Sequence, residues 1–157
     1  MKALTRDEAV AWCNRNGVAV DERHRPEMPS NTVEVKIEHD AGRRVAMVRQ
    51  HFRAFGEPDE FLVWFTDWSV WPSGEVPHLF HRLRLSYGER RPLIEAPAQL
   101  FAADEVEDAL SFVALGVLFL WDCFVVSASQ GPLARYSHDE FATVVRSAIG
   151  KDAGPRT

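Results

Sequence analysis

The chain has 157 residues, 46% of them apolar and 26% charged, with a net charge of −5. That length suits one domain able to bury about two thirds of its unfolded surface, and the composition excludes global disorder. The negative charge excludes generic nucleic-acid binding, which needs a basic footprint on the phosphates, and its sign would suit a basic protein partner.

The first residues, Met1-Lys2-Ala3-Leu4-Thr5-Arg6-Asp7-Glu8, contain no apolar stretch of the kind a secretory signal needs. Cys13 and Cys123, the only cysteines, are therefore expected to be reduced thiols in a cytoplasmic protein. Thr5 and Glu8 have the spacing of a capping box, so a helix is predicted over 6–16 with Gly17 as its stop. Residues 21–31 hold two prolines and five charges and read as a loop. Over 32–39, Val33, Val35 and Ile37 alternate with Glu34, Lys36 and Glu38, which predicts a half-exposed strand near a sheet edge.

Val45, Val48, Phe52 and Phe55 recur at helical spacing and predict an amphipathic helix over 42–54. The next segment, FLVWFTDWSVW from Phe61 to Trp71, has apolar residues at both parities. A strand open on one face would alternate, so 61–66 is predicted to be covered on both. A helix is predicted over about 75–86, closed by Gly88, and irregular chain over 89–103, which holds Pro92 and Pro97.

Asp104 and Glu107 read as a second helix start, leading into an almost wholly apolar helix over 105–119. The apolar run Ala109–Trp121 is 13 residues long, too short to span a bilayer, and no membrane association is expected. A strand is predicted at Asp122–Ser127, a turn at Gln130-Gly131-Pro132, and a hairpin partner at Leu133–Tyr136. Ser137-His138-Asp139-Glu140 reads as a third capping box opening a helix to Ile149. The polar tail 150–157 is expected to fray, leaving 1–149 as one globular domain.

The predicted architecture is α+β or α/β: a mixed sheet of about four short strands packed with about five helices. The strand–helix–strand order over 32–66 favours a parallel pair.

Candidate chemistry is sparse. Glu75, His78 and His81 lie at i, i+3 and i+6, within reach of one another on a helix, and could hold zinc; the spacing is not that of HExxH. No other cofactor is expected. Ser137, His138 and Asp139 resemble a triad written in a row, but neighbours on a helix diverge, so capping is the simpler reading. Asp67, between Trp64 and Trp68, is a candidate carboxylate at a strand's C-terminal end. Asp122 opens a strand, so with parallel pairing the two would project from opposite sheet edges. Trp68 and Trp71 are candidate stacking or interface residues, joined by Glu57, Asp59 and Glu60 as acidic contacts. Arg82 with Arg84, and Arg90 with Arg91, read as solvated or ion-paired surface groups. No phosphate-binding glycine loop, G-x-S-x-G or CxxC occurs.

The segments TDWSVWPSGE, LFHRLRLSYGERRPLIEAP, FLWD and YSHDE resemble those of a set of small bacterial proteins of unknown function, over about residues 42–141. The resemblance implies a bacterial origin and no particular chemistry. In size, acidity and tryptophan content the chain is also similar to toxin-neutralising immunity proteins. The leading expectation is a non-catalytic protein-binding module of immunity or adaptor type. The alternatives are a small metal-dependent hydrolase and a ligand-sensing domain with a tryptophan-walled pocket.

Overall fold

Seven strands form one sheet in the order β1-β4-β3-β5-β6-β7-β2. They are β1 (Lys2–Leu4), β2 (Thr32–Lys36), β3 (Glu60–Asp67), β4 (Ala98–Ala102), β5 (Asp122–Ser127), β6 (Gly131–Tyr136) and β7 (Phe141–Val145). The helices are α1 (Arg6–Arg15), α2 (Ala41–Phe55), α3 (Val76–Ser86) and α4 (Val106–Leu118). The structure is a computed structural model and describes residues 1–56, 59–68 and 76–148. Among these, no helix is long and apolar enough to cross a membrane.

Every strand pair is antiparallel. The expected mixed sheet of about four strands with about five helices is thus corrected to a seven-stranded antiparallel sheet with four α-helices among the described residues; the class is α+β. The 32–66 passage is not a βαβ unit, because β2 lies on one edge and β3 near the middle. Its helix α2 carries the chain across the sheet instead of returning it beside the strand it left.

Three strands, β1, β4 and β7, lie where the sequence suggested none or a helix. β4 is AQLFA, whose alanines and glutamine give little strand signal, yet it pairs with both β1 and β3. The region 137–148 forms a tight turn, β7 and a single 3-10 turn at Arg146–Ala148, not the predicted α-helix. Ser137 N–H donates to the Phe141 carbonyl at 2.8 Å and Glu140 N–H to the Ser137 carbonyl at 3.1 Å, closing a hairpin with β6. Thr143-Val144-Val145 is β-branched and favours the pleated state once a partner strand is available.

The double coverage of β3 follows its sequence parity. Phe61, Val63 and Phe65 enter the larger core, built with α2, α3 and α4. Leu62 and Trp64 enter a smaller core on the other face, with Ala9, Trp12 and Cys13 of α1. At α1, Thr5 Oγ1 accepts the Glu8 N–H and the Glu8 carboxylate accepts the Thr5 N–H, so the predicted capping box forms. The second predicted box does not. Glu105, not Asp104 or Glu107, turns its carboxylate back to the Ala102 N–H at 2.9 Å and to the Met1 amine.

Gly116 sets the depth at which α4 packs on β3. A Cβ there would stand 2.7 Å from Phe65 Cε1, and Phe65 is itself fixed edge-on between Phe80 and Trp121. At its C-terminal end α4 closes with Leu120 in the left-handed region at φ 54°, while Trp121 N–H reaches back to the Gly116 carbonyl at 2.9 Å. Glycine is the usual residue in that position. Leucine there costs on the order of 1 kcal/mol, and the turn delivers Trp121 and Asp122 to the start of β5.

Candidate functional site

Antiparallel pairing places the end of β3 beside the beginning of β5. Asp67 and Asp122 are register partners across a bulge that follows Phe65. The expectation that they project from opposite edges is therefore reversed, since it depended on parallel strands. β6 returns to the same end, pairing Tyr136 with Cys123, and so brings His138 against Asp122.

Asp122 Oδ1 accepts two hydrogen bonds from His138, the backbone N–H at 2.6 Å and ring Nδ1–H at 2.7 Å. A carboxylate can only accept, so the ring proton sits on Nδ1. Nε2 lies 3.6 Å from Asp139 Oδ1. The bond to Asp122, with the added charges of Asp122, Asp139 and Asp67, raises the His138 pKa above its ordinary value. Arg135 approaches the other Asp122 oxygen at 3.8 Å and stacks over Phe124 at 5.9 Å. Its buried Nε has no hydrogen-bond acceptor among the described residues.

Asp122 is thus neutralised by its neighbours, whereas Asp67 is exposed and has no ion-pair partner among the described residues. Ser137 Oγ accepts the Asp139 N–H at 3.3 Å, which fixes the turn. Among the described residues no hydroxyl or thiol is hydrogen-bonded to His138, so the row Ser137-His138-Asp139 makes no nucleophilic triad. Cys123 is fully buried and burial pushes its thiol up, away from the reactive thiolate; Cys13 is pushed up likewise, to about 11.

A cleft of about 470 Å³ opens over the Asp67–Asp122 pair, on the face that carries α1. Trp64, Phe65 and Trp68 give it an aromatic lining. Arg6 from the first turn of α1 and Glu22, Arg23, His24 and Arg25 from the loop that follows line it too, cations outnumbering the one carboxylate there. Asp21 holds that loop: its carboxylate accepts the Arg23 and Arg25 N–H groups at 2.9 and 2.8 Å and the Arg25 side chain at 2.8 Å. Left-handed non-glycine backbone occurs at His24, Leu120 and Glu140, one on the rim and two lying two residues from Asp122 and His138. Such strain concentrates where a structure must hold a particular geometry.

Beyond the Asp67–Asp122 pair lies a second cavity of about 350 Å³, lined by Trp68, Trp121, Phe80, Leu93 and Ile94. Arg84 and His81 complete its wall. Arg84 is not the surface group expected from sequence. It is fully buried and donates to Gln99 Oε1 at 3.1 Å, the Arg91 carbonyl at 3.0 Å and the Ala96 carbonyl at 2.8 Å. It clamps the 89–97 connection onto β4. The Gln99 oxygen that receives it, buried in mid-strand, was the only sequence sign of this role.

The other candidate residues scatter. Asp59 and Glu60 precede or begin β3, whereas Asp67 and Trp68 end it, a separation of roughly 23 Å at the rise of an extended strand. Glu60 accepts the Trp12 indole N–H at 3.2 Å. Glu57, Trp71 and Glu75 lie outside the described residues. His78 is exposed on α3 and His81 half-buried, and among the described residues no group of three histidines, cysteines or carboxylates could hold a metal. Comparison with protein-family models, with curated proteins and with solved structures returns no match.

Proposed function

We propose that this protein is a small-molecule-binding domain whose ligand combines an ammonium group with an anionic group. The observation that carries the reading is that the exposed Asp67 carboxylate shares one cleft with Trp64 and Trp68 and with Arg6 and Arg23, beside Glu22 and the Asp21-paired Arg25. A carboxylate in a cleft with tryptophan side chains suits a cation, through ion pairing and cation–π attraction. Guanidinium groups in the same cleft suit a carboxylate or phosphate. The proposed role is binding without turnover: among the described residues no hydroxyl or thiol is hydrogen-bonded to the His138 imidazole. Of the described candidates for protein docking, Asp59 and Glu60 lie at one end of β3 and Asp67 and Trp68 at the other. Free, buried cysteines suit a cytoplasmic location.

The test is a thermal-shift and calorimetric screen with betaine, phosphocholine and free amino acids. A zwitterion that binds the folded state alone raises stability by about 2.7 kcal/mol at one hundred times its Kd. Asp67→Asn should abolish that shift while leaving the unliganded melting point in place. No shift with any zwitterion, or an unaltered shift in Asp67→Asn, refutes the proposal.

A further inference from the structure

The two cavities meet at Trp68, which lines both. Asp67 ends β3 and Asp122 begins β5, and Trp68 and Trp121 stand just beyond those two strand ends. Asp67 and Asp122 are register partners and face the polar cleft. Their neighbours Trp68 and Trp121 line the apolar cavity, and Trp68 lines the cleft as well. One sheet end thus carries a charged compartment and an apolar one that share the Trp68 side chain.

We infer that the ligand is amphipathic: a zwitterionic head in the cleft and an apolar tail passing Trp68 into the cavity walled by Phe80, Trp121, Leu93 and Ile94. This rests on the zwitterion reading above and extends it to the substrate class. The apolar cavity is large enough for a short alkyl chain or one aromatic ring. Its outer edge is Ile94, which at 76% exposed is the most solvent-open large apolar side chain among the described residues. An apolar residue so exposed beside an apolar cavity is a position that a ligand tail would cover. The guanidinium of Arg84 behind this wall is bonded to neutral oxygens and has no carboxylate within ion-pair distance among the described residues. A cationic tail end is thereby disfavoured and a neutral one accepted.

The experiment measures affinity for phosphocholine, butylphosphocholine and hexylphosphocholine, each below its micellar concentration, against the intact chain and Ile94→Asp. Burying each methylene should tighten binding by about fourfold, an upper value before the ordering of the tail is counted. Ile94→Asp should erase most of that gain and leave phosphocholine affinity unchanged; at such an exposed position it leaves the fold intact. If phosphocholine binds and the longer chains bind no better, the tail inference fails while the zwitterion reading stands. If none binds, both fail. Co-sedimentation with phosphatidylcholine vesicles, without response to the soluble series, would also overturn the inference, since it would indicate a surface and not a single molecule.

Discussion

Replacing Asp122 by Asn tests the assembly of the site most directly, because this side chain ties the start of β5 to Arg135 of β6 and to the turn after it. The carboxylate is 8% exposed and accepts both the backbone N–H and the ring Nδ1–H of His138, at 2.6 and 2.7 Å. An amide keeps one oxygen for those donors but loses the charge. Hydrogen bonds to charged groups contribute about 1.5–3 kcal/mol and neutral ones about 0.5–1.5. Two weakened bonds therefore cost about 2 kcal/mol while His138 is protonated and about 1 kcal/mol when it is neutral. The pH at which this changes follows from His138. Its pKa is raised in the folded chain, first by the bond to Asp122. Its contribution is complete below the unfolded value, near 6.5, and is lost as pH rises through the folded value. The deficit of Asp122→Asn against the intact chain should then be larger at pH 5.5 than at pH 9, measured by urea unfolding at both. The His138 ring titration, followed by NMR, should move down toward its ordinary value. A deficit that does not change with pH, or an unmoved titration, would refute the pairing.

Three further outcomes follow from the packing. Gly116→Ala drives a methyl to 2.7 Å from a Phe65 ring that Phe80 and Trp121 hold edge-on. Overpacking of about 1–3 kcal/mol should outweigh the gain of about 1 kcal/mol in helix propensity, so a stabilised variant would contradict the close approach. Arg84→Met removes three buried donors from Gln99, Arg91 and Ala96; a loss of about 3 kcal/mol in chemical denaturation is expected, and a loss under 1 kcal/mol would deny the clamp. His51 is buried against Tyr136 at 2.9 Å and burial lowers its pKa to about 4. It folds neutral and charges on unfolding, so stability should fall as pH drops from about 6.5 towards 4, by about 3 kcal/mol in all, and His51→Phe should flatten that acid limb.

The sequence disclosed the parts of this fold whose signal is local. The Thr5–Glu8 box, the period of Val48, Phe52 and Phe55, and the double parity of Phe61–Phe65 each correspond to an observed element. What was hidden depended on partners far along the chain. β1 is three residues long and β4 is mostly small side chains, and each is a strand because the other is there to pair with it. The Ser137–Glu140 spacing is equally a helix start and a hairpin turn; the Phe141 carbonyl decided for the hairpin by accepting the Ser137 N–H. Local pattern cannot weigh a hydrogen bond that exists only after β6 has docked.

The site was legible in its residues and illegible in its assembly, and strand direction accounts for the difference. Asp67 and Asp122 could each be named as a carboxylate at a strand end, but a parallel pair would have put them at opposite ends of the sheet. Antiparallel pairing puts the same two residues in register, brings His138 back along β6, and leaves Trp68 and Trp121 at the apolar cavity. One inversion of direction therefore converts scattered polar residues into a charged cleft and an apolar cavity sharing a wall. The same geometry explains why Asp67, and not Asp122, is the group left for a ligand. Asp122 is inside the hairpin and spends its charge on His138, whereas the bulge after Phe65 turns Asp67 out to solvent. A bulge at a sheet end re-aims one side chain without disturbing its neighbours, so the free carboxylate is a consequence of the backbone that also seats Trp68.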